Sequence, residues 1–392
     1  MDTGASRTGS AAPRTTTIPL TDAQRLNWLR LIRSDNVGPA TFRDLINHFR
    51  TASAALEALP DLISRGGVAG RIRIASAASA EAEMEAARLN NARFIGMGEP
   101  GYPLALRMIS YPPPLICVKG NADVLARETV AIVGSRNASI GGLRLAARFA
   151  SSIGDAGYAI ASGLARGIDA SAHKHSLSTG TIAVFAGGVD QVFPEENSEL
   201  ALDIIESGGC FISEMPMGWK PRSKDFPRRN RLIAGLASGL IVIEAARRSG
   251  SLISARLANE AGRTVFAVPG SPLDPRSEGA NWLIKQGATL VTDPQEVIDE
   301  LDAGSSGRDL FTAEAGLTES GEEDSAKYAP PMDAEEEVRN RIIAALGPAP
   351  VEIDDIIRFA GATSGQVQLV LIELALAGRL ERHGGNRVSL VG

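Results

Sequence analysis

Apolar positions fall into three regimes along the chain. From Thr21 to about Asn90 they recur at helical spacing, with Leu26, Leu29 and Ile32 in one segment and Leu45, Ile46 and Phe49 in another. From Thr129 onward, short apolar runs alternate with amphipathic segments. The runs Thr129–Val133, Tyr158–Ala161, Thr181–Phe185, Cys210–Ser213, Leu240–Glu244, Thr264–Val268 and Ala288–Val291 carry little polar alternation, which predicts strands covered on both faces. Helices are predicted near Gly141–Gly154, Ile168–Leu177, Ser198–Ser207, Asn230–Ala237, Ser251–Ala261 and Gly279–Gln286. Alternation of this kind predicts an α/β fold with a doubly wound parallel sheet. In the last sixty residues, Val338, Ile342, Ile343 and Leu346 mark one helix and Ile353, Ile356 and Ile357 a second. Thr363 caps a third, with Val367, Val370, Leu371 and Leu374 as its stripe. Arg379–Glu381 and Arg387–Leu390 then flank Gly384-Gly385 as a hairpin, completing the pattern of a winged helix.

These regimes divide the chain of 392 residues into a tail (1–20), a helical domain (21–90), a sheet domain (91–302), a linker (303–333) and a winged-helix domain (334–392). The tail is rich in Gly, Ser, Ala and Thr, without the apolar segment of a secretion signal. Arg93 to Gly120 reads as a proline-rich connector leading into a strand at Leu115–Val118. The linker is dominated by Gly, Ser, Glu and Asp and is expected to be disordered. The turn Asn36-Val37-Gly38-Pro39 fits a helix-hairpin-helix, in which glycine lets backbone N–H groups approach a phosphate. A plain turn between two helices fits it as well.

Composition narrows the function. The net charge is −6, so any nucleic-acid site must be a local patch. Cys117 and Cys210 lie in apolar runs, as buried reduced thiols of a cytoplasmic protein would. No apolar run reaches the ~18 residues of a membrane span. Between Trp219 and Arg231 stand six basic residues and one acid. They include Lys224, Arg228, Arg229 and Arg231, with Asn230 among them and Trp219 and Phe226 interleaved. Charge for a backbone and rings for stacked bases are what single-stranded nucleic acid requires; a solvated loop is the bland alternative. Pro227 predicts an extended Phe226 whose ring stands at the mouth of the arginines. The competing view packs it under the next helix as a staple.

In an open α/β sheet, ligands bind beyond the carboxyl ends of the strands. There the sequence places Gly134-Ser135-Arg136, the loop containing Gly163, Arg166 and Gly167, the Phe193–Asn197 segment, the arginine run, and Arg247-Arg248-Ser249-Gly250-Ser251. Gly134-Ser135-Arg136 and Ser249-Gly250-Ser251 are candidate phosphate cups, or glycines that serve only tight turns. Catalytic constellations are poor. A dinucleotide fingerprint and a Walker lysine are missing. His173 and His175 point to different helix faces, no cysteine pair has zinc spacing, and no metal or cofactor is implied. Asp169, Asp190 and Glu214 have the chemistry of general bases, but acids at such loop ends more often cap helices or orient arginines.

Gly134-Ser135-Arg136, Ser162 to Asp169, His173, Phe193-Pro194 with Asn197, Phe226 to Leu236, Ser249 to Ala255 and Val265 to Ser271 closely resemble the bacterial DNA-processing protein A (DprA/Smf) family. The resemblance implies an extended Rossmann-like fold, a small N-terminal helical domain of SAM or helix-hairpin-helix type and a C-terminal winged helix. It implies a non-catalytic, homodimeric mediator that binds single-stranded DNA and loads a RecA-type recombinase during natural transformation. Arg136 and the basic run to Asn230 would then meet DNA phosphates, with Phe226 as a stacking ring. A nucleotide-binding α/β enzyme, such as a nucleotide hydrolase, is the alternative, because the same loops suit a mononucleotide phosphate.

The winged helix departs from a DNA reader. From Asp333 to Gly392 there are nine acidic and six basic residues, and the third helix, Thr363 to Ala377, carries no Lys or Arg. A DNA-reading helix normally brings cations to the phosphates, so this one suits protein or weak DNA contact. Removal of residues from Asp333 onward is therefore expected to leave single-strand affinity nearly unchanged in a filter-binding titration. Loss of binding would overturn that reading.

Overall fold

The computed structural model describes residues 19–67, 72–305 and 335–391. Most of the expected tail and of the expected linker lies outside them. Helices α1 (Asp22–Arg33), α2 (Pro39–Phe49), α3 (Ala52–Arg65) and α4 (Ala77–Leu89) form an N-terminal bundle. Thr21 caps α1 in a reciprocal capping box with Gln24, and Gly38-Pro39 opens α2. Trp28 and Phe42 meet edge to face at the bundle centre, their centroids 5.0 Å apart.

The sheet contains β1 (Ala92–Gly96), β2 (Leu115–Gly120), β3 (Thr129–Gly134), β4 (Ala159–Ser162), β5 (Thr181–Val184), β6 (Cys210–Ser213), β7 (Gly239–Ile243), β8 (Thr264–Ala267) and β9 (Thr289–Leu290). Their order is β1-β2-β6-β5-β4-β3-β7-β8-β9. Strands β6 through β9 in that order are parallel, as expected. The segment read as a connector supplies an addition: β1 pairs antiparallel with β2, and β2 antiparallel with β6. Its prolines and the short helix α5 (Leu104–Arg107) lie between the two strands and hide a pairing that is non-local in sequence.

Helices α6 (Ile140–Asp155), α7 (Ile168–Lys174), α8 (Ser198–Glu206) and α12 (Pro294–Ser305) cover one sheet face, and α9 (Asp225–Leu236), α10 (Gly250–Glu260) and α11 (Glu278–Lys285) the other. Strand residues divide accordingly. Val130 and Ile132 join Phe149 and Ile153 in one core, and Ala131 and Val133 join Leu232 and Leu236 in the other. Both cysteines are buried, as expected. Helix α12 had no counterpart in the sequence reading and runs three residues into the segment read as linker. Among the described residues, no single helix is long and apolar enough to cross a membrane.

The winged helix consists of α13 (Glu336–Ala344), β10 (Val351–Glu352), α14 (Ile353–Ala360), α15 (Ser364–Leu376), β11 (Leu380–His383) and β12 (Arg387–Leu390). The expected stripe of Val367, Val370, Leu371 and Leu374 fills its own core. A second stripe, Leu369, Ile372 and Leu376, joins the core that contains Trp28, Phe42 and Leu59. The domain is docked on the N-terminal bundle through α15. A helix that is apolar all round is a buried helix, and that signal stood in the sequence unused.

His173 of α7 is fully buried between β4 and β5. Its Nε2 accepts from the Leu164 N–H at 3.3 Å, so its Nδ1–H donates to Thr181 Oγ1 at 2.7 Å. A second ring proton would face the Leu164 N–H. Burial, and then the nearby Arg229 charge, push the His173 pKa down to about 3. The unfolded chain takes up a proton near pH 6.5 that the folded chain refuses. The stability contribution is therefore present above about pH 6.5 and falls below it, by up to ~1.4 kcal/mol per pH unit toward pH 3. Urea titrations at pH 7 and pH 5 should show the loss, and His173→Gln should flatten it. An equal slope in the variant would show that other groups carry it.

Candidate nucleic-acid interface

The strand order reverses between β3 and β7, so a ligand crevice is expected beyond the ends of these two strands. A Cβ on Gly134 would run into the Ile243 carbonyl, so glycine is needed there for the close approach of β3 and β7. Helix α6 begins next to this crevice. Ser139 Oγ accepts from the Gly142 N–H at 2.9 Å. The Ser139 N–H donates to Glu244 Oε2 at 2.8 Å, and its hydroxyl donates to the same carboxylate. Glu244 reaches this place from the end of β7 with φ of 49°, a left-handed conformation that a non-glycine residue adopts at a cost of ~1 kcal/mol. The helix N-terminus offered as a phosphate cup thus already holds an anion, supplied by the protein.

The loop after β4 has the same design. The N–H groups of Gly163 and Ala165 donate to Asp169 Oδ2 at 3.2 and 3.4 Å. Burial raises the Asp169 pKa, and the Arg229 charge opposes the rise. Arg229 is itself only 5% exposed, and its guanidinium fills the space where a Cβ on Gly163 would lie. Its Nη1 donates to the Val184 carbonyl at 3.3 Å. Gly167, at φ 72°, lets the loop pass the Ser135 carbonyl. Asn197 Nδ2 donates to the Leu164 carbonyl at 2.9 Å and closes the loop. Arg166 is exposed and paired with Glu196.

The arginine run is deployed differently from its expected form. Helix α9 begins at Asp225, five residues before the predicted start, so Phe226 and Pro227 form its first turn. Proline is tolerated there because the first N–H groups of a helix need no intrahelical acceptor. Asp225 Oδ2 accepts from Trp219 Nε1 and from the Arg222 N–H, each at 2.9 Å, and fixes the entry. The extended Phe226 is therefore corrected: the ring is half-buried on the first turn. Arg228 and Arg231 converge on buried Glu214 at 2.8 and 2.9 Å, and Arg231 also donates to the Tyr111 carbonyl. Asn230 Nδ2 donates to the Gly250 carbonyl at 3.3 Å, joining α9 to the start of α10, where Ser249 caps Ser251. Asp169 and Glu214 orient arginines and backbone, as the bland reading of such acids holds.

Cations that face solvent on this edge include Arg136, Arg166, Lys220, Arg222, Lys224, Arg228, Arg247 and Arg248. The Arg136 guanidinium lies 5.4 Å from the centre of the Phe226 ring, and buried Arg229 lies 5.8 Å from it. Phe193, half exposed, stands beside Phe226 with centroids 5.9 Å apart. A small cavity between the β4 and β5 loops is lined by Gly163, Phe185, Phe193, Phe226 and Arg229. The Arg222 guanidinium lies over the Trp219 ring, 4.5 Å from its centroid. Sequence reasoning left Phe193 and Glu244 without roles. The aromatic next to a turn proline was a signal for the first; the second had none, because its partner Ser139 lies 105 residues away.

The family model described as DNA recombination-mediator protein A matches residues 93–302. Models of a DprA-like N-terminal HHH domain and a DprA winged helix domain match residues 22–86 and 326–386. The chain is 38% identical over 291 residues to protein Smf of Escherichia coli, covering 74% of this chain and 75% of that one. It is 30% identical over 398 residues to protein Smf of Synechocystis, covering 94% and 99%. The X-ray structure of DNA processing protein A from Streptococcus pneumoniae superposes with a TM-score of 0.57 at 32% identity, over 72% of this chain and 99% of that one. The parallel sheet, the helical bundle before it and the winged helix after it agree with these matches, and the chain belongs to the DNA recombination-mediator protein A family.

Proposed function

We propose that this chain binds single-stranded DNA along the carboxyl edge of its sheet and works as a non-catalytic mediator. In that role it hands the strand to a RecA-type recombinase in transformation, as a cytoplasmic homodimer. One observation carries the reading. The start of α6 beside Gly134-Ser135-Arg136 carries Glu244 and the β4 loop carries Asp169, while the second candidate cup at Ser249–Ser251 is closed by its own serine cap; Arg136 stands exposed over Phe226 of the Phe193–Phe226 ring pair, with exposed Lys224 and Arg228 on the same edge. Own carboxylates at the α6 start and the β4 loop repel a deep phosphate there. Exposed cations beside rings suit a backbone that passes along the surface with unpaired bases.

The test is a titration with an unstructured oligonucleotide, a duplex and a mononucleotide at two salt concentrations. Tight, salt-sensitive binding of the single strand alone is expected; turnover of the mononucleotide would favour a nucleotide hydrolase instead. Arg136→Ala should weaken single-strand binding and flatten the log–log salt slope by about 0.7. Arg136→Lys should recover only part, since lysine offers charge without the fork. An unchanged slope in folded Arg136→Ala would remove this residue from the site.

Phe226→Ala should cost ~1–3 kcal/mol of single-strand affinity with little change in residual duplex affinity. Its melting temperature should stay near that of the parent, because the ring is half-buried. A variant that melts early yet binds normally when folded would make the ring a packing residue only.

A further inference from the structure

The docked winged helix holds its cations against the N-terminal bundle. Arg339 Nη2 donates to the Arg65 carbonyl at 2.5 Å, and its Nε meets Glu373 at 3.0 Å. Arg379 Nη1 donates to the Gly66 carbonyl at 3.4 Å, and Arg382 pairs with buried Asp44 of α2. These are three of the six basic residues from Asp333 to the end of the chain. The third helix is sealed as well: no residue from Val367 to Ala377 is exposed, and Leu369, Ile372 and Leu376 lie in the bundle core. At its end, Asn36 Nδ2 donates to the Leu376 carbonyl at 2.7 Å. The hairpin before α2 thus caps the last turn of α15. Gly66 is the closest approach. A Cβ there would lie 2.6 Å from the Glu373 carbonyl oxygen and 2.9 Å from the Ala377 Cβ.

We propose that the winged helix is an autoinhibitory clasp on the N-terminal bundle of its own chain. The third helix and Arg382 at the base of the β11–β12 hairpin are withheld from nucleic acid while the clasp is closed, and Arg339 and Arg379 are tied to bundle carbonyls. Three features argue for a contact that closes and opens. The apolar stripe is only three residues wide, so polar contacts decide the register. The buried Oε1 of Gln368 on α15 and the Nε of Arg382 have no hydrogen-bond partner among the described residues, so the closed state leaves polar groups unsatisfied. The winged helix also keeps a complete core of its own, which undocking leaves intact. The clasp does not involve the sheet edge proposed to bind single strands, so it stands or falls separately from that reading.

Gly66→Leu in the full-length chain separates the outcomes. Gly66 has φ of −62°, which any residue adopts, so the added side chain strikes α15 without straining its own backbone. Small-angle scattering should show a larger radius of gyration, and amide exchange should speed up in α15 and around Asn36. Duplex affinity at low salt should rise at least threefold, while single-strand affinity stays within twofold of the parent. Arg382→Glu, on the surface hairpin, should open the clasp by repulsion from Asp44 without the duplex gain, since it replaces one of the released cations. Opening of Gly66→Leu without a gain in duplex affinity would overturn the inhibitory role. Unchanged scattering and exchange in both variants would overturn the clasp, as would protection in the parent that vanishes on dilution.

Discussion

Three carboxylates hold the carboxyl edge of this sheet in shape. Glu244 occupies the start of α6, Asp169 binds the N–H groups of the β4 loop, and Glu214 gathers Arg228 and Arg231. Each sits where an α/β sheet ordinarily presents positive potential to a ligand. A helix start or a turn of N–H groups without an anion must be solvated or filled, and a buried unmet donor costs ~1–3 kcal/mol. Here the protein fills the places itself. The loops are therefore rigid before any ligand arrives, and the remaining positive charge moves outward to side chains in contact with water.

The arginines follow from that arrangement. Arg229 goes inward because Asp169 lies beneath the glycine loop, and the two charges offset part of each other's burial. Arg228 and Arg231 flank one carboxylate, which fixes their stems on the rim. A bound strand would meet an array that has already lost much of its side-chain entropy, and ordering cost is what limits binding by long flexible cations. Phe226 lies against two guanidiniums, Arg136 and Arg229. Ring and charge thus form one surface rather than two separate determinants.

The same economy of charge appears at the far end of the chain. Asp44 and the backbone carbonyls of Arg65 and Gly66 engage arginines of the winged helix, while Asn36 caps its third helix. Burial raises the Asp44 pKa, with the Arg382 charge opposing it, which marks the pair as partly desolvated. Such pairs fix geometry more than they add stability. Here they set which face of a nearly uniformly apolar helix turns toward the bundle.

Much of this architecture was legible from one-dimensional pattern. Six of the seven parallel strands declared themselves because a strand buried on both faces must be apolar throughout, and their intervening helices because one face must be; the seventh, β9, is a two-residue exposed edge strand, not the covered strand expected. The winged-helix elements and the cap at Thr363 were equally local. The Phe226–Arg231 run lies at the carboxyl edge where the sequence placed it, since strand ends in an open sheet share an edge. Tertiary structure decided what each of these residues does. Whether Arg229 faces water or core depends on Asp169 across a loop, and whether a helix start is open depends on Glu244, 105 residues from its partner. The antiparallel β1–β2 addition and the docking of α15 likewise rest on contacts between distant segments. Periodicity reports that a face is buried; it carries no information about which surface buries it.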